Sequence, residues 1–239
     1  MTLDNYDVNK KGNWSPKEPL EYVPIFSSPT NLIKIFRWIF GFPGYLWPWN
    51  TIYLLMAIIS FVYFYPSLTE CVNLNFNWTI NIFIKNLAII LIVFGGFHLY
   101  LHTYEQQGDN YRYNSQKLQK GINKWLFNNQ TYENIFWSCA SGCLVWSLYE
   151  IIFMWLYANE KLNSINFDSN PIYYCLLFAL IPLWQVCYFY FSHRLTHWKP
   201  LYKWVHYLHH KNVNTGPWSG LSMHPIEHII YFGTVLIHL

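Results

Sequence analysis

Four apolar stretches, at about residues 50–66, 80–103, 135–158 and 171–192, constrain this chain more than any other feature. Each approaches the ~20 residues a helix needs to cross the hydrocarbon core of a bilayer. There, every backbone polar group must find its partner within the chain, which leaves only helices or a closed barrel. Apolar runs of this length read as helices, although the first, the shortest, is also compatible with a re-entrant segment. The run from Ile226 to Leu239 is apolar but too short to span. Composition agrees: 53% of residues are hydrophobic and 11% charged, against about 25% charged in a soluble domain. The 13 Trp and 20 Tyr suit the membrane–water boundary, where ring and polar tip are both satisfied. The expected fold class is all-α, a polytopic integral membrane protein of about four transmembrane helices with a histidine-bearing helical cap.

Basic residues give the expected orientation. Lys10, Lys11, Lys17, Lys34 and Arg37 precede the first span. Arg112, Lys117, Lys120 and Lys124 lie between the second and third, and Arg194, Lys199, Lys203 and Lys211 follow the fourth. The other two loops carry only Lys161. The positive-inside rule then places the segment after the fourth span on the cytosolic side. The membrane would be a bacterial inner membrane or the endoplasmic reticulum. A net charge of +3 gives no case for nucleic acid. The polar N-terminus carries no cleavable signal peptide pattern. Residues 1–49 read as a loose cytosolic arm followed by an interfacial helix, residues 50–134 as a transmembrane hairpin with its cytosolic loop, and residues 135–239 as the domain holding the chemistry. Lys85 is expected to snorkel from the outer end of the second span. Glu150, inside the third, either lines a cavity or bonds a neighbouring helix. The five cysteines form no CxxC pair and read as small apolar fillers.

The stretch "HRLTHWKPLYKWVHYLHH" (193–210) holds five of the ten histidines. His193 and His197 are four apart and share a helix face at the end of the fourth span. Pro200 interrupts that helix and suits the first turn of another. On the second helix His206, His209 and His210 stand at i, i+3 and i+4, again on one face. Two short helices with a bend between them can turn all five imidazoles toward one point. A single histidine on an apolar face is ordinarily a hydrogen-bonded core residue. Five converging rings would each need partners for two nitrogens in a poorly solvated place, and imidazole is a good ligand for zinc, copper, nickel and iron. "SMHPIEHII" adds His224, Glu227 and His228 as further candidates, with Glu227 as ligand, base or orienting acceptor. His98 and His102, at the end of the second span, read as interfacial polar groups, with extra metal ligands or haem ligands as alternatives. No HExxH occurs and no cysteine sits beside the histidines, which argues against a zinc protease or a zinc finger. So many nitrogens fit two metal ions better than one.

The order H-R-x-x-H, H-x-x-H-H, H-P-x-E after a hydrophobic span resembles the fatty acid hydroxylase/sterol desaturase superfamily, over about residues 170–239. The stretch "NKWLFNNQTYENIFWSCASGCLVWSLYEIIFMWLYAN" (123–159) resembles its bacterial branch. The resemblance implies a membrane-bound, non-haem di-iron oxygenase that hydroxylates or desaturates a lipid with O2. It implies two Fe ions, and an electron donor that is cytochrome b5-like, a ferredoxin or a flavoprotein reductase. It makes His193, His197, His206, His209 and His210 iron ligands, with His224 and His228 as further candidates and Glu227 as the catalytic or orienting carboxylate. It also makes residues 135–239 a fatty acid hydroxylase-like domain, expected to be truncated because no further H-x-x-H-H precedes Leu239. The rival expectations are a zinc-dependent membrane hydrolase, a haem-binding electron carrier using His98 and His102, and an inactive fragment.

Overall fold

The computed structural model describes residues 6–17, 22–110, 112–162 and 167–238. The expected N-terminal arm is not wholly irregular. Strands β1 (Tyr6–Val8) and β2 (Trp14–Pro16) form one small sheet. Residues 1–5 and 18–21 of the arm lie outside the described residues.

Helix α1 (Leu32–Phe40) starts where the Asn31 side chain accepts a hydrogen bond from Lys34 N at 3.0 Å and stops at Gly41. Among the described residues four helices are long and apolar enough to cross a membrane: α2 (Leu46–Phe64), α4 (Phe76–Thr103), α5 (Gln130–Ala158) and α6 (Pro171–Thr196). A short helix, α3 (Leu68–Cys71), precedes α4, with Ser67 and Glu70 closing a reciprocal cap. The chain is a multi-pass, predominantly helical membrane protein. Each span starts earlier or ends later than its apolar run; at α4 and α5 polar residues supply the first turn. Asn75 caps α4 and Asn129 caps α5, each accepting from the backbone three residues on, as helix starts require.

The contacts divide the chain into two units. One holds α1, α2 and the first part of α6 up to Val186. In it, α2 buries no residue and is apolar all round, the pattern of a helix surrounded by lipid. The other unit holds α3, α4, α5, the end of α6 from Cys187, and everything after it. Its core is Ile90, Cys143 and Trp218, packed by Phe83, Leu87, Phe94, Ile135, Cys139, Trp146 and Leu221. Cys143 and Cys139 are therefore packing residues, as expected.

Lys85 does not snorkel. It is buried and pairs with Glu150 of α5, while Asn86 donates to Glu150 at 2.6 Å and to Ser147 at 3.1 Å. Lys85 faces α5, so a carboxylate is nearer than water. Glu150 thus serves the helix–helix contact rather than a cavity.

A second polar seam runs along the start of α5. Gln130 donates to Asn212 Oδ1 at 3.0 Å and to Asn214 O at 2.6 Å. Asn134 donates to Asn212 at 2.8 Å and to Ser219 at 3.2 Å, and Ser138 donates to Trp218 O at 3.2 Å. Glu133 pairs with Lys211. The seam fixes residues 211–219 against α5, and with them the helix that carries the second group of histidines.

Candidate metal centre

The last turn of α6 carries His193 and His197. Trp198 breaks the helix, and α7 (residues 199–210) begins with Pro200 in its first turn, where a missing N–H costs nothing. A wide π-type turn at Tyr202–His206 lies within α7, a device that recurs at functional sites. Helix α8 (Pro225–Phe232) is capped by His224, whose Nδ1 accepts from Ile226 N at 3.2 Å.

Four histidines meet. The Nε2 of His197 lies 3.2 Å from that of His193, 3.3 Å from that of His206 and 3.3 Å from that of His210. The His206 and His210 Nε2 atoms are 2.9 Å apart, and one nitrogen from each of the four rings lies within 4.8 Å of all the others. Nitrogens bound to one transition-metal ion at about 2.0–2.1 Å stand roughly 3.0–3.4 Å apart in tetrahedral or cis-octahedral order. The three spacings among His197, His206 and His210 are close to that range, and His193 stands beside them, 3.2 Å from His197.

The rings are kept in the ligating form by burial. His206 is wholly inaccessible, and desolvation, helped by the neighbouring His197, pushes it down to about 4. His209 and His210 are lowered as well, again chiefly by desolvation. At neutral pH these three imidazoles carry no charge and offer a lone pair. His206 Nδ1–H donates to Glu227 Oε1 at 2.6 Å, which leaves Nε2 as its free lone pair and aims it at the other three rings. Burial raises Glu227 to about 7. Its other oxygen, Oε2, is buried with no partner.

His209 is not in the group of four. Its ring stacks on His206 at 5.6 Å between centroids, and its Nδ1 is buried without a hydrogen bond. His193, His209 and Glu227 line a cavity of about 310 Å³ together with Phe189, Met223 and Tyr231. The lining thus mixes imidazole and carboxylate groups with apolar and aromatic side chains.

His224 and His228 are not brought to the cluster. His224 is a helix cap. His228 is fully buried, with Nδ1 at 2.9 Å from Ser141 Oγ of α5 and Nε2 at 3.1 Å from Leu221 O in the turn before α8, so both ring nitrogens are engaged in anchoring α8. Burial pushes it down to about 4. Gly142 allows this approach, since a Cβ there would lie 3.1 Å from His228 Nε2. His98 and His102 stack one turn apart on α4 at 5.4 Å and are not part of the four-ring group.

The residues that sequence reasoning missed are Gln130, Glu133, Asn134 and Ser141. Their signal was present, because 130, 134, 138 and 141 are polar positions on one helix face.

Residues 178–239, which include all four clustered histidines, match the family model described as fatty acid hydroxylase. The chain is 27% identical over 186 residues to Delta(7)-sterol 5(6)-desaturase ERG3 of Candida albicans, covering 74% of this chain and 45% of that protein. It is 25% identical over 216 residues to fatty acid hydroxylase domain-containing protein 2 of Macaca fascicularis, covering 88% of this chain and 58% of that protein. The chain thus spans about half the length of these curated relatives. No solved structure matches. The matches bear out the resemblance read from the histidine motifs.

Proposed function

We propose that this chain carries the site of a membrane-bound, O2-dependent lipid oxygenase that hydroxylates or desaturates an unactivated C–H bond with two iron ions. The observation that carries the reading is the convergence of four Nε2 atoms at 2.9–3.3 Å between neighbours beside a half-apolar cavity. Iron bound there would supply the oxidising chemistry, which amino-acid side chains lack. His193, His197, His206 and His210 would hold one ion. His209 and the free oxygen of Glu227 would serve the second, with further ligands outside the four-ring group. His224 and His228 would act through α8, one by starting it and one by anchoring it.

The protein's own part is positioning. Glu227 keeps the His206 proton on Nδ1. Phe189, Met223 and Tyr231 give an alkyl chain an apolar wall and exclude water. The reaction consumes O2, two electrons and two protons for each hydroxyl formed, and releases one water. A cytochrome b5-like protein, a ferredoxin or a flavoprotein reductase would deliver the electrons. The substrate would be a sterol or fatty acyl-type lipid. The histidine face would look into the cytosol, as the distribution of Lys and Arg implies.

The test is metal analysis and oxygen uptake on the purified chain from iron-supplemented cells. Iron in the preparation, lost in His206→Ala and His210→Ala with helical content retained, supports the reading, as does lipid-stimulated O2 consumption. Stoichiometric zinc with no O2 uptake overturns it in favour of a hydrolase.

A further inference from the structure

Helix α7 has two faces, and the histidines use only one. Val205 and His206 point inward and are buried. Positions 200, 203, 204 and 207 share the opposite face, at the i, i+3, i+4 and i+7 spacing of a helix stripe. There Trp204 is 74% and Tyr207 57% exposed, and Trp198, in the bend before α7, is 63% exposed. Lys199 and Lys203 are exposed on the same stretch, and Lys203 Nζ lies 5.1 Å from the centre of the Trp204 ring. These residues lie outside the four spans, so burial in hydrocarbon does not account for their apolar surface.

We propose that this outer face of α7 docks on the bilayer surface, with the Trp and Tyr rings among the lipid headgroups and the lysines paired with anionic ones. Two observations select lipid over a soluble protein. Helix α7 starts three residues after α6, a helix long enough to cross the membrane, so it emerges at the boundary. The lipid-facing surface also runs into it without a gap: Phe191 and Leu195 on the last turns of α6 are exposed apolar residues, and Arg194 reaches back to donate to Tyr190 Oη at 2.7 Å, as a cation at a membrane edge does. Trp and Tyr prefer this boundary, and lysines near it are attracted by negative headgroups. Because His206, His209 and His210 lie on the same helix, docking holds the histidine cluster at a fixed depth below the headgroups. A lipid can then enter the cavity sideways without leaving the bilayer. The docking itself requires neither a bound metal nor the proposed reaction.

The experiment places the full chain in nanodiscs of phosphatidylcholine, alone or with phosphatidylglycerol added. A nitroxide is attached at position 207 (Tyr207→Cys, native cysteines changed to serine) or, as a water-exposed reference, at position 109 (Asp109→Cys). Collisions with O2 and with a soluble nickel chelate are read by power saturation. The expected result is a several-fold preference for O2 over the chelate at 207 relative to 109. Phosphatidylglycerol should strengthen it, and Lys199→Glu with Lys203→Glu should remove that strengthening. Should the cysteine-free chain fail to fold, the emission lost in Trp204→Phe, quenched by brominated lipid, reads the same contact. Equal chelate access at 207 and 109, or no bromine quenching of the Trp204 emission, overturns the proposal. Shielding of position 207 that appears only on adding a soluble redox protein also overturns it, and makes the face a protein-docking surface.

Discussion

Glu227 offers the sharpest test of how the cluster is prepared for a metal. Its Oε1 accepts the His206 Nδ1–H at 2.6 Å, and His206 is inaccessible to solvent. Replacing Glu227 by leucine keeps approximate volume and removes the acceptor. No water reaches the stranded N–H, a loss of about 1–3 kcal/mol. The ring is also free to flip or to move its proton to Nε2, which withdraws one of four ligands. Removal of such orienting partners lowers metal affinity by about 10–100-fold, or ~1.4–2.7 kcal/mol. Glu227→Gln keeps an acceptor in place but loses the charge and buries an amide N–H where Oε2 had no partner. Its loss should be nearer tenfold. The assay is competition for metal against a chelator of known affinity, on detergent-solubilised chain, with helical content and thermal unfolding followed in parallel. An unchanged affinity in Glu227→Leu, with melting intact, would refute the claim that this carboxylate sets the His206 tautomer.

Three further outcomes follow from the geometry. The His206 value of about 4 lies below the ordinary ~6.5 of an unfolded chain, so the unfolded state binds the extra proton first. Metal-free protein should hold its full thermal stability above pH ~6.5 and lose it as pH falls toward about 4, and His206→Gln should flatten that slope in a melting series. Lys85→Met strands Glu150 in a dry place and should cost about 3–5 kcal/mol in denaturant unfolding, whereas Lys85→Met with Glu150→Leu should regain most of it. Gly142→Ala puts a methyl 3.1 Å from His228 Nε2; it should destabilise the protein by about 1–3 kcal/mol in thermal melts and loosen the mounting of α8.

Much of this architecture was legible in the sequence because bilayer helices declare themselves by length and apolarity. The pairing of His193 with His197, and of His206 with His210, followed from i, i+4 spacing alone. The convergence of the two pairs depended on the bend that Trp198 and Pro200 impose. What spacing could not give was which nitrogens were already committed. His224 and His228 also stand four apart, yet the first caps a helix and the second is held by Ser141 and Leu221. Those partners are remote in sequence, and hydrogen bonds of this kind leave no periodic trace. Lys85 shows the same limit, because its proximity to Glu150 is 65 residues away along the chain.

The mounting of α8 has a mechanical consequence. Tyr149 Oη donates to Ile229 O at 3.0 Å and Tyr188 Oη to Ile230 O at 2.6 Å, so two phenols from neighbouring helices grip its C-terminal turn. Ile230 borders the cavity, and Glu227 lies one turn before it on the same helix. Under the proposed function, a lipid too wide for the cavity would press α8 against that grip. Any displacement of the helix would carry Glu227 away from the His206 ring, so girth would be policed by the same lever that keeps the nitrogens aimed.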